Sequence, residues 1–148
     1  MDEDAGDDGA RTLTGFWTGV YAYPIASLAP VPFNMVLTET GGALQGECVE
    51  PDSTGSGLGE LFASIEGVRD GADVTFAKVY ESSIALSHHL DYRGQANTAL
   101  TRIEGAWTAI AGDGRRDWSG VFTMTRRSGQ AAVARLAPRR ARAPIGAD

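Results

Sequence analysis

Cysteine is nearly absent: Cys48 stands alone in the chain, so no intrachain disulfide forms and a disulfide-stapled secreted scaffold is excluded. No Asn-x-Ser/Thr acceptor occurs, since Asn34 precedes Met35-Val36 and Asn97 precedes Thr98-Ala99. No apolar run reaches the length of a bilayer-spanning helix, and Met1-Asp2-Glu3-Asp4 is the reverse of a secretion signal's basic, then apolar, start. These absences predict a cytoplasmic protein that engages no membrane. The net charge of −6 argues against nucleic acid as a partner.

Histidine is confined to the neighbours His88 and His89, which point to opposite sides of any strand. With one cysteine and no His-x-x-x-His spacing, zinc finds no ligand set, and neither a metal nor another cofactor is expected. Gly55-Ser56-Gly57-Leu58-Gly59 has the wrong spacing for a phosphate loop and no helix after it. Asp113-Gly114-Arg115-Arg116-Asp117 lacks the ligand spacing of a calcium loop, and no nucleophile-elbow sequence surrounds a serine.

Glycine, in contrast, is plentiful, with 19 residues in 148, and helix-forming runs are few. The balance leans to an all-β class in one domain with a sizeable core. Residues 1–11 read as an acidic disordered lead-in and 128–148 as a basic, Ala/Pro/Arg-rich tail, with neither showing a periodic apolar face. Between them, eight strand-like runs alternate with turn signals. They cover 13–23, 33–40, 43–50, 60–69, 72–81, 87–95, 102–110 and 118–127. Gly41-Gly42 and Asp70-Gly71 mark tight hairpins, and Pro24 to Pro32 is a loop that no central strand tolerates.

Eight short strands without a crossover helix leave a sandwich or a barrel. Connections short enough to join sequential neighbours favour a meander, and closing it removes exposed edges. The expected fold is therefore an eight-stranded antiparallel up-and-down barrel over 12–127. In that arrangement β-strand eight returns beside strand one, which places Arg126 near Trp17 for a cation–π contact.

The Gly15-Phe16-Trp17 start, together with the late Arg126, resembles the calycins, the lipocalins and avidin-like barrels. Without a long first loop or a C-terminal helix, the short-loop avidin-like variant is the nearer likeness. The resemblance implies a closed end at Trp17 and Arg126, a ligand cup at the other, and a homo-oligomer contact through the barrel exterior, for which Phe16, Val20 and Phe62 are candidates.

Inward parity lines the open half with Tyr21, Tyr23, Phe33, Met35, Cys48, Leu61, Lys78, Tyr80, His88, Leu90, Trp107 and Trp118. Of these, Tyr21, Tyr23, Phe33, Met35, Lys78, Tyr80, His88, Trp107 and Trp118 are the candidate ligand contacts. Lys78, the only lysine, shares the parity of Val74, Phe76 and Tyr80. A buried ammonium must be paired or shift its pKa. Lys78 either meets a ligand carboxylate, pairs with Glu50, acts as an amine nucleophile or base, or snorkels to the rim. His88 is either an acid/base group or a core histidine bonded to a carbonyl.

Three functions fit this pattern: a carrier or sensor for a small hydrophobic or aromatic molecule, an isomerase or cyclase, or an interaction module filled by its own side chains. In the enzyme reading Lys78, Tyr80, His88 and Glu50 supply proton transfer. Lys78→Met is then expected to lose binding or activity with little loss of stability.

Overall fold

The structure, a computed structural model, describes residues 11–25, 27–51, 59–81, 89–111, 114 and 116–127, the side chains of 116 and 117 excepted. It is all-β. Strands β1 (Gly15–Ala22), β2 (Val31–Thr40), β3 (Ala43–Pro51), β4 (Glu60–Asp70), β5 (Asp73–Tyr80), β6 (His89–Ala96), β7 (Arg102–Ile110) and β8 (Arg116–Arg127) follow in chain order. Each pairs antiparallel with its sequence neighbours, and β1 pairs with β8, so the meander closes into a barrel without a free edge. Among the described residues no helix is long and apolar enough to cross a membrane.

Alternation along each strand decides what enters the barrel. On β2, Val31, Phe33, Met35 and Leu37 are buried while Pro32, Asn34, Val36 and Thr38 are more exposed. On β5, Val74, Phe76 and Lys78 are buried between less buried neighbours. The core runs the length of the barrel. Trp17, Leu37, Leu44, Ile103 and Met124 fill one end, and Phe76, Tyr92 and Phe122 interlock in the middle with centroids 4.8 and 4.9 Å apart.

Small residues set the curvature. A Cβ at Gly67 would fall on the Thr75 carbonyl and 2.5 Å from the Phe76 Cα. Only hydrogen fits where neighbouring backbones come this close. Gly41 and Gly42 form the β2–β3 turn, both at positive φ (59° and 89°), as a primed two-residue loop requires. The β4–β5 turn is displaced by one residue from the Asp70-Gly71 expectation. Its centre is Gly71-Ala72, flanked by the Asp70–Asp73 pair, and needs positive φ at Gly71 alone (63°), which spares Asp70.

Phe16 departs from its expected exposure. It stands between Val36 and Arg127 on the two ladders and is 2% exposed, whereas Val20 is exposed and Phe62 half-buried.

The connections divide unequally between the two ends. At the end where β1 starts and β8 stops, the links are residues 41–42, 71–72 and 97–101. At the opposite end they are 23–30, 52–59, 81–88 and 111–115. Long connections gathered at one rim of a rigid barrel are where binding residues concentrate.

Candidate functional site

The closed end is sealed by residues from both chain ends of the barrel. Trp17 and Arg126 are ladder partners, and the guanidinium carbon lies 5.3 Å from the indole centroid. Trp17 Nε1 donates to the Leu13 carbonyl at 2.9 Å, and Arg126 donates to the Thr12 carbonyl. Gly15 is held at φ 149°, a backbone conformation that favours glycine, while a Cβ there would meet Arg126 Cδ only at an ordinary 3.6 Å contact. Leu13 is 0% exposed, and its backbone N–H donates to Glu39 Oε1, which also accepts from Arg69 Nε, both at 2.8 Å. Sequence reasoning found Trp17 and Arg126 but missed Glu39 and Arg69. Their outward signal was only a late-strand acid and base of opposite charge.

Near the other end lies a buried polar cluster. Lys78 Nζ donates to Glu50 Oε1 at 2.7 Å, with the residues 0% and 3% exposed. Glu50 Oε2 accepts from Tyr21 Oη at 2.7 Å and from Tyr80 Oη at 3.0 Å. Four rings surround the ammonium, with centroids of Tyr21, Tyr92, Tyr80 and Phe33 at 4.5, 5.3, 5.4 and 5.6 Å. Glu50 stands opposite Leu61 and Ile65 opposite Lys78, so their backbones are staggered by four residues along β4 and the two side chains span that stagger to meet.

Burial pulls the Lys78 pKa down, but Tyr92, Cys48, Glu50 and Tyr80 outweigh it and hold the ammonium above its usual range. The opposite formal charge in contact with it is Glu50, at 2.7 Å. Burial pushes the Tyr21 and Tyr80 phenols well above theirs, reinforced by Glu50 and partly offset at Tyr80 by Lys78. Burial also raises Tyr92 and Cys48 to about 12 each, with Lys78 opposing both.

Of the residues expected to line the open half, Tyr21, Phe33, Met35, Cys48, Leu61, Leu90 and Trp107 are 5% exposed or less and pack within the barrel. Lys78 pairs with Glu50 and reaches neither the rim nor solvent. That burial changes the expectation for Lys78→Met, because removing the ammonium strands a buried carboxylate. Tyr23 and Tyr80 are half-buried, and Trp118 is 45% exposed. Tyr23 bridges Trp107 and Trp118 edge to face at 5.3 and 5.9 Å, and Trp107 Nε1 donates to the Ala22 carbonyl at 3.0 Å. His88 lies outside the described residues, as do the acidic lead-in before Arg11 and the basic tail.

Among the described residues no group of three His, Cys, Asp or Glu side chains converges to hold a metal. Two surface hollows are also present, and the larger has Phe33 and Glu50 of the buried cluster in its lining. One of about 540 Å³ runs along β1–β3 by Thr18, Pro32, Asn34 and Val49, and one of about 310 Å³ lies at the closed end by Arg69, Asn97 and Leu100. Compared with known protein families and with curated proteins, the chain matches none.

Proposed function

We propose that this calycin-like barrel binds a small, largely apolar or aromatic molecule at its open end. The observation that carries the reading is the aromatic rim of Tyr23, Tyr80 and Trp118 above a floor whose polar groups are bonded to one another. The floor stays intact without a ligand because Glu50 takes three hydrogen bonds from Lys78, Tyr21 and Tyr80. The rim offers ring faces, two phenols and the Trp118 indole N–H, a lining suited to a flat hydrophobic guest. The core below is filled, so the guest sits in the mouth and not through the barrel.

An isomerase or cyclase on the same rim is the second reading, favoured by the Lys78–Glu50 contact. Tyr80 is the member of that cluster with partial exposure, so it alone would touch a substrate.

Native mass spectrometry of protein purified from its source, beside the Trp118→Ala variant, tests the binding reading. A small-molecule adduct released on denaturation and diminished in the variant is expected. Protein that carries no adduct and takes up none of phenol, indole or 2-naphthol is a filled barrel, and the reading fails.

A further inference from the structure

We infer that the outer wall of β7, β8, β1 and β2 docks against a second copy of this chain, giving a two-fold dimer. The inference is independent of any guest at the mouth. Closure of the barrel leaves no strand edge for another chain to pair with, so a contact between copies is made by outward side chains.

Charge divides the outer wall into two halves. Among the described residues, outward positions of β3 to β6 carry Glu47, Glu60, Glu66, Asp70, Asp73 and Asp91, with Arg93 the one arginine among them. On β7, β8, β1 and β2 the outward charges are Arg102, Glu104 and Arg127, all at the closed-end margin. Beyond them the ladders align outward side chains in rows without a formal charge. Val121 pairs with Ala106 and Ala22, Val20 with Thr123 and Pro32, and Thr18 with Thr125 and Asn34. A chain of net charge −6 repels its own copies wherever acids face acids. The charge-free half is the wall that a second copy meets without that repulsion.

Shape points the same way. Val121 and Val20 stand out from this wall, 61% and 36% exposed. Two strands from Val121 lies the hollow of about 540 Å³ beside Thr18, Pro32, Asn34 and Val49, bordered by Arg127 and Glu60 of opposite sign. Ridge and hollow therefore share one face. In a two-fold contact residue i meets j while j meets i, so an axis near Val20 sets each Val121 into the hollow of the other copy. Of the exterior residues expected from the sequence, Val20 lies central in this wall, whereas Phe16 is buried and Phe62 belongs to β4.

The size of the face sets the strength of the contact. Four strands about 4.8 Å apart, each contributing about seven residues, span roughly 19 by 23 Å. With the relief of the side chains this reaches the roughly 600 Å² per partner at the lower bound of stable interfaces, which fits a micromolar dimer.

Sedimentation equilibrium of the full chain tests this, beside Val121→Arg and Val79→Arg. Val79 is 47% exposed on β5, so it controls for a new arginine on the charged half. The wild type is expected at twice its 15.6 kDa chain mass in the micromolar range. Val121→Arg should raise the dissociation constant at least about a hundredfold, because the guanidinium would enter an uncharged face beside Arg127 of the other copy. Its far-UV circular dichroism should not change, since the site is exposed in the single chain. Val79→Arg should leave the dimer intact. A wild type that sediments as a monomer throughout the micromolar range overturns the inference. A dimer that persists in Val121→Arg, or that Val79→Arg dissociates, overturns this wall as its contact.

Discussion

Glu50 and Lys78 face each other across the barrel interior with Nζ and Oε1 2.7 Å apart, and neither is more than 3% exposed. A buried pair of this kind is destabilising to break and much less so to replace as a unit. Lys78→Met and Glu50→Gln should each lower unfolding free energy by about 3–5 kcal/mol. The double variant should lose less than the sum of the two, by at least about 1 kcal/mol. Denaturant melts of the four proteins check this, and strict additivity would show that the two side chains are energetically independent.

Alkaline pH should unfold the protein early. Cys48, Tyr92, Tyr80, Tyr21 and Lys78 all have folded-state values above their usual ones, so the native state keeps protons that the unfolded chain releases. Their contribution is fully present below about pH 8.5 and falls as pH rises, first through Cys48 and from about pH 10 through the phenols and Lys78. The slope from one group is at most about 1.4 kcal/mol per pH unit. Cys48→Ala should flatten the curve between about pH 8.5 and 10, where the thiol alone titrates. Parallel curves for wild type and variant over that interval would remove the thiol from the account.

The glycines divide into two kinds that stability measurements separate. Gly67→Ala places a methyl on the Thr75 carbonyl and should cost about 2 kcal/mol or more. Gly41→Asn should change stability by less than about 0.5 kcal/mol, because nothing lies within 4 Å and asparagine tolerates positive φ. Equal effects at the two sites would contradict the packing origin of the first.

Arg126→Ala removes the guanidinium from Trp17 and a donor from the Thr12 carbonyl. A loss of about 1–3 kcal/mol is expected, with a shift in the emission of Trp17. An unchanged melting temperature would mean that Leu13 and Glu39 close this end unaided.

Much of this fold is legible in the chain because period-two patterning is strong in most strands, β1 with adjacent buried Phe16 and Trp17 excepted. Gly41-Gly42 fixed one turn, and closure of the meander placed Arg126 beside Trp17. The turn at Gly71-Ala72 escaped by one residue, since choosing a register that spares Asp70 depends on the ladder. Burial was harder to read than direction. Parity put Phe33, Met35 and Trp107 inward, but alternation does not reveal whether inward side chains meet a guest or one another. The Lys78–Glu50 pair was one of several readings of a lone lysine. Only the three-dimensional stagger of β3 against β5 brings those two heads together, with Tyr21 and Tyr80 closing on the same carboxylate.

The three indole N–H groups report on the open end most directly, for Trp17 sits at the stopper, Trp107 between, and Trp118 at the rim. In a proton–nitrogen correlation spectrum titrated with 2-naphthol, the signals of Trp118 and Trp107 should move while that of Trp17 stays in place. Three stationary indole signals, or shifts confined to the backbone of Thr18, Asn34 and Val49 along the outer hollow, would contradict a guest in the barrel mouth.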